Sequence, residues 1–185
     1  MSKILLELPE DWFRLDRTRI ADDVAVRVGA EPRHADARNI LVRVLGDAAV
    51  DHEVGDALFS AGYAGLDERG EPITAAVSLQ VLPLSRGAED VSKLVEGFQQ
   101  EAPGDPSIAA VDRVQLAQGA AVRLEELYIG ELMPEVPYEG LSVSYILPLP
   151  DQQALAVLRF TTPFGRTTAA LREVFERTAA TLAVG

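Results

Sequence analysis

The chain predicts an α+β fold: a mostly antiparallel sheet flanked by helices, an α/β/α sandwich, formed by residues 1–185 as a single domain. Three observations predict it. Ile73, Ala75, Val77, Leu79 and Val81 alternate with Thr74, Ala76, Ser78 and Gln80, which is the period-two pattern of a half-buried strand. The last third of the chain, Gly140 to Ala183, reads as two apolar strands, a short turn and an amphipathic helix. Helical stripes of apolar residues occupy the stretch before the first long strand.

Taken in order, Ile4 to Leu8 is an opening strand closed by Pro9, and Trp12 and Phe13 follow in a turn or the lead into a helix. Trp12, the only tryptophan, is an apolar anchor for the start of the chain. Ile20, Val24 and Val28 recur at four-residue spacing, so Arg17 to Val28 is a helix ending near Gly29. Pro32 restarts the chain, and Ala37, Leu41, Val44, Leu45 and Ala48 form a stripe running to about Ala49. A third helix is expected with Asp51 as cap, Val54, Leu58 and Ala61 turned inward, and Gly62 as stop.

Tyr63 to Leu66 begins the β structure, and Asp67-Glu-Arg-Gly-Glu-Pro is a hairpin turn. After the strand at Ile73 to Val81, Glu89 to Gln100 is a helix stopped by Pro103-Gly-Asp-Pro. Ile108 to Leu116 and Ala120 to Leu132 are strands joined through Gln118-Gly119. In the second, Val122, Leu124 and Tyr128 share one face while Leu127 and Ile129 share the other with Arg123 and Glu125. Apolar residues on both faces suit a sheet covered by helices on each side; pairing or packing in a homodimer is the alternative. Met133 to Gly140, with two prolines, reads as a rigid extended connection. Leu141 to Leu149 and Ala154 to Thr162 are the closing strands, and a helix from about Gly165 places Leu171, Val174, Phe175, Thr178 and Leu182 in one stripe.

The 185 residues are 48% hydrophobic and 25% charged, within the range of ordinary folded domains. Seventeen Lys and Arg against 29 Asp and Glu give a formal charge of −12, which opposes nucleic acid and anionic membranes and accommodates a basic partner. The absence of cysteine removes disulfides, thiolate nucleophiles and zinc-cysteine cages. An acid at Glu7, after only three apolar residues, comes too soon for a secretory signal. No run approaches the roughly 20 residues that cross a bilayer, so the chain is expected in the cytoplasm without membrane insertion.

Chemistry-bearing patterns are missing. His34 and His52 form neither an HExxH motif nor a pair at helical spacing, so no metal site is expected. Neither Ser60 nor Ser85 carries both flanking glycines of a nucleophile elbow, and Gly62-Tyr-Ala-Gly65 is no phosphate loop. Asp22-Asp23, Glu125-Glu126 and Glu89-Asp90 could be paired as acid and base only in a cleft that shifts their pKa values. Neighbours on a strand face opposite ways and acids at a helix start are explained by the macrodipole, so the pairs are expected to be structural. Tyr63, Tyr128, Tyr138 and Phe164 lie near predicted strand ends beside glycine or proline, where loops could gather them on one rim as a partner-contact surface.

The opening Leu-Pro-Glu-Asp-Trp at 8–12, the strand at Ile73 to Val81, Gly119-Ala-Ala-Val-Arg, and Tyr145-Ile-Leu-Pro-Leu-Pro followed by Leu158-Arg-Phe-Thr-Thr-Pro and a helix together resemble small actinobacterial proteins of the PsbP-like α/β/α sandwich superfamily. That superfamily includes photosystem accessory subunits, a Ran-binding import factor, DcrB-type envelope proteins and Eag-type chaperones. The resemblance implies a non-catalytic protein-binding module without cofactor, an adaptor or chaperone related to a secretion system. A small-molecule or lipid carrier with an apolar pocket is the alternative, and an uncharacterised enzyme the third. Arg159, between Leu158 and Phe160, marks the test within the closing hairpin. If helices leave its sheet face uncovered, that face belongs to the binding surface.

Overall fold

The computed structural model describes residues 4–84, 90–133, 136–163 and 168–184. Its centre is a seven-stranded antiparallel sheet of β2 (Phe13–Arg14), β3 (Phe59–Leu66), β4 (Pro72–Pro83), β5 (Ile108–Leu116), β6 (Gly119–Met133), β7 (Val136–Leu149) and β8 (Ala154–Thr162). The spatial order is β2-β3-β4-β8-β7-β6-β5, so β8 is the central strand. A separate two-stranded sheet joins the ends of the described chain, β1 (Ile4–Leu5) pairing antiparallel with β9 (Ala183–Val184). The helices are α1 (Ile20–Val28), α2 (Ala35–Val54), α3 (Val91–Glu101) and α4 (Thr168–Ala180).

Alternation along the strands divides the sheet into two unlike faces. On the first, Val77, Leu79, Leu141, Val143, Tyr145, Leu147, Leu158 and Phe160 form a continuous buried layer closed by Leu171, Phe175 and Ala179 of α4 and by Leu182 just beyond it. Phe160 stacks on Phe175 at 4.6 Å, and Tyr145 and Trp12 meet the same Phe160 ring edge-on at 6.1 and 6.4 Å. Trp12 is the anchor that its apolar character predicts. On the second face, Ile20, Val24 and Val28 of α1 interlock with Leu41, Leu45 and Ala49 of α2 over Ala64 and Ala76 of the sheet. Gly62 lets α2 come close, because a Cβ there would press on the Leu15 and Leu45 side chains. At the far end α3 packs on β5 and β6, with Arg113 reaching Ser92 at 3.3 Å.

The α+β fold and the sheet flanked by helices agree with the sequence. Four elements differ. α2 runs unbroken to Val54, so Asp51 sits inside it and the expected third helix is absent. The chain leaves at Gly55 and Asp56, the latter at φ 52°, and Gln80 Nε2 donates to the Gly55 carbonyl at 2.6 Å. Val54 is therefore 81% exposed and Leu58 65% exposed, and Ala61-Gly62 belong to β3, whose small residues admit α2. The segment Met133 to Gly140 is no connection: Val136–Gly140 pair with Met133–Tyr128 and extend a β6–β7 ribbon past the neighbouring strands. The opening strand shrinks to Ile4–Leu5, and Phe13 enters the sheet edge opposite Gly62. The expected start of the last helix at Gly165 lies outside the described residues.

One buried ionic cluster ties α4 to the sheet. Glu125, only 6% exposed, lies on the α4 face of β6 and accepts a bidentate pair from Arg172, Nε at 3.2 Å and Nη2 at 3.0 Å. It also pairs with Arg123, which reaches Asp112 at 3.2 Å and Glu176 at 3.7 Å. Burial works against the Arg123 charge, but Glu125, Tyr145 and Glu176 together more than offset it, so its pKa rises. Breaking such a pair leaves an uncompensated buried charge, and Glu125→Ala is expected to lower stability by about 3 kcal/mol in urea unfolding. Exposed Glu173→Ala is expected to stay within about 0.5 kcal/mol. Phe175→Ala, which empties the stack on Phe160, is expected to cost about 3–5 kcal/mol by the same measurement.

Candidate functional site

Helices on the second face cover its two ends and leave the centre open. There a cleft of about 370 Å³ runs between α2 and the β6–β7 ribbon. Its walls are Asp47, Ala48, Asp51 and His52 on one side and Tyr128 and Tyr138 on the other, above Ser78, Arg159 and Thr161.

Arg159 occupies the middle of this floor because the register demands it. On the central strand it lies opposite Ser78 of β4 and Ser144 of β7, two small neighbours over which a long side chain can lie flat. Its Nε donates to Ser142 Oγ at 2.8 Å and its Nη2 stands 3.7 Å from Glu126. Half of the side chain, 52%, stays accessible. The face carrying Arg159 is thus uncovered above it, and the closing hairpin contributes to the open surface. Glu125 and Glu126, adjacent in sequence, divide between the faces as strand geometry requires: one into the α4 cluster, the other beside Arg159.

Tyr128 and Tyr138 are placed by a reciprocal cross-strand arrangement. Tyr128 lies opposite Gly140 and Tyr138 opposite Gly130. A Cβ on either glycine would overlap the tyrosine ring facing it, so each ring lies across its partner glycine and shields that backbone. The rings meet edge to face, 5.9 Å apart and inclined at 80°. Burial raises the pKa of both hydroxyls, which interact with each other, and Asp51 adds to the effect on both. Both groups are neutral phenols at physiological pH. The sequence carried the signal for this pair: the triplet Tyr-Ile-Gly at 128–130 recurs as Tyr-Glu-Gly at 138–140.

Of the four aromatics expected on one rim, the structure brings together Tyr128 and Tyr138. Tyr63 is elsewhere: opposite Ala75, it points to the α4 face and packs beside Trp12 at 6.3 Å. Phe164 lies outside the described residues. The α2 wall was not legible from the sequence, because only the unbroken helix turns Asp47, Asp51 and His52 toward the tyrosines.

His52 is the titratable group set deepest in this wall. Its Nδ1 is buried without a hydrogen-bond partner among the described residues. Burial lowers its pKa below 6.5, Asp51 opposes that shift and Arg159 adds to it. His34, by contrast, is used structurally, its Nδ1 donating to the Val28 carbonyl at 2.9 Å. Among the described residues no group of three or more His, Asp or Glu side chains could hold a metal ion. No described helix is long and apolar enough to cross a membrane. The arrangement offers two aromatic rings, three carboxylates at the cleft and its border, and one guanidinium.

No protein-family model matches the chain, and no curated protein matches it. Its fold is similar to that in the crystal structure of LpqN, involved in cell envelope biogenesis of Mycobacterium tuberculosis. The identity is 15% and the TM-score 0.50, with 100% of this chain and 84% of that chain covered. The likeness is one of fold.

Two outcomes follow from the geometry. Gly140→Ala forces the Tyr128 ring out of the cleft wall and is expected to cost about 1–3 kcal/mol, with loss of near-UV circular dichroism. For His52, the unfolded chain takes up a proton near pH 6.5 that the folded chain resists, so its contribution destabilises the fold progressively as pH falls below 6.5. In His52→Gln that part of the pH dependence disappears, and urea titrations between pH 7 and pH 5 should show a flatter stability profile than the parent.

Proposed function

We propose that the protein is a non-catalytic binding module that takes a segment of a partner polypeptide into the cleft between α2 and the β6–β7 ribbon. The observation that carries this reading is Arg159. A guanidinium at the middle of the central strand keeps half its side chain accessible, where helices would otherwise seal the sheet. Tyr128 and Tyr138 supply large, pre-positioned aromatic surface beside it, the residue type that anchors protein interfaces.

The resemblance to the PsbP-like superfamily, with its DcrB-type and Eag-type members, supports an adaptor or chaperone working in the cytoplasm for an envelope or secretion assembly. Likeness in fold to a protein described as involved in cell envelope biogenesis supports the same setting. A lipid carrier would need an enclosed apolar cavity. This cleft is open and bordered by Asp47, Asp51, Ser78 and Arg159, which favours a polar or polypeptide occupant.

Peptide display against the full chain tests the reading. Enriched peptides are expected to bind Tyr128→Ala at least about tenfold more weakly than the parent, and Val26→Ala, altered on an exposed residue of α1, equally well. Equal binding to Tyr128→Ala, or a stoichiometric lipid released from the purified protein on organic extraction, overturns it.

A further inference from the structure

The chemistry of the occupant can be read from the charges of the cleft; the inference rests on the polypeptide-binding reading above. Asp47 and Asp51 stand one helical turn apart on α2, both exposed, and neither enters an ion pair among the described residues. Across from them is the Tyr128–Tyr138 corner. The Tyr138 hydroxyl registers both aspartates: its pKa is raised first by burial and further by the charges of Asp47 and Asp51.

Arg159 does not make the cleft an anion site. Its charge is met by Glu126 at 3.7 Å and its Nε is engaged by Ser142. Asp47, Asp51 and Glu126 set three carboxylates against that one guanidinium, and His52 adds no compensating charge because burial holds it neutral. An anion entering would meet net repulsion. A cation would meet two unpaired carboxylates and two aromatic rings, a combination that favours a planar guanidinium over a compact ammonium, because it accepts carboxylates along its edge and stacks through its face. The overall charge of −12 would steer a basic segment toward the protein.

We propose that the cleft seats an arginine side chain of the partner polypeptide, its guanidinium held between Asp47 and Asp51 on α2 and the Tyr128–Tyr138 pair on the ribbon. Binding is therefore specific for positive charge and weakens as salt is raised.

The test is an NMR titration of the full-length, isotope-labelled chain with two capped hexapeptides, identical except for arginine or its uncharged isostere citrulline at one position. The arginine peptide is expected to shift resonances of Asp47, Asp51, Tyr128 and Tyr138 saturably. The citrulline peptide, and the arginine peptide against Asp47→Asn/Asp51→Asn, are each expected to bind about tenfold more weakly. The double variant alters exposed side chains, and its dispersed spectrum reports that it is folded. Equal affinity for the two peptides, shifts confined to another surface, or no response to the arginine peptide overturns the arginine assignment. The polypeptide reading falls separately, if the display-selected peptides ignore Tyr128→Ala.

Discussion

The stack of Phe160 on Phe175 decides which side of the sheet is closed. Strand alternation then leaves no choice for the residue before it: with Phe160 facing α4, Arg159 must face the other way. A guanidinium in the central strand cannot be sealed beneath a helix without a full set of partners, since burying an unpaired charge costs several kcal/mol. The second face therefore carries its helices at the two ends, α1 and α2 over β3 and β4, α3 over β5 and β6. The cleft is what remains between them. Its position follows from packing on the opposite side of the sheet.

The buried ionic cluster and the tyrosine pair at the cleft divide the work. Glu125 with Arg123 and Arg172 holds α4 against β6, on the closed face. The tyrosine-glycine pairs stiffen the ribbon that forms one wall of the open face. A stiff wall matters for recognition, because aromatic surface already in place loses little conformational entropy when a partner arrives.

Most of the fold was legible in local patterns. The strands at Ile73 to Val81 and Leu141 to Thr162 alternate cleanly because each buries one face, and α1 and α3 show their stripes and stops for the same reason. The errors fall where tertiary packing overrides propensity. Ala61, Gly62, Ala64 and Gly65 make a poor strand by composition, yet small residues at Gly62 and Ala64 are what let α2 approach, and Val54, Leu58 and Ala61 chance upon helical spacing. Prolines at 134 and 137 suggested a connection, whereas residues 136–140 pair along the ribbon. The site was half visible. Tyr128, Tyr138 and Arg159 stood out singly, but their convergence with Asp47, Asp51 and His52 depends on strand order and on an uninterrupted α2, which no local pattern encodes.

The strand order has one further consequence. Every neighbouring pair in the seven-stranded sheet is consecutive in sequence except β4 with β8, which joins an amino-terminal half of β2, β3 and β4 to a carboxyl-terminal half of β5 to β8. The cleft lies across that seam: Ser78 and the α2 wall come from the first half, Arg159, Tyr128 and Tyr138 from the second. Neither half owns the site, so a molecule bound in the cleft bridges β4 and β8, the pairing in the seven-stranded sheet with the greatest sequence separation and therefore a large loop-closure cost. Occupancy and docking of the halves are then thermodynamically linked, and the partner acts as a clamp on the protein that receives it.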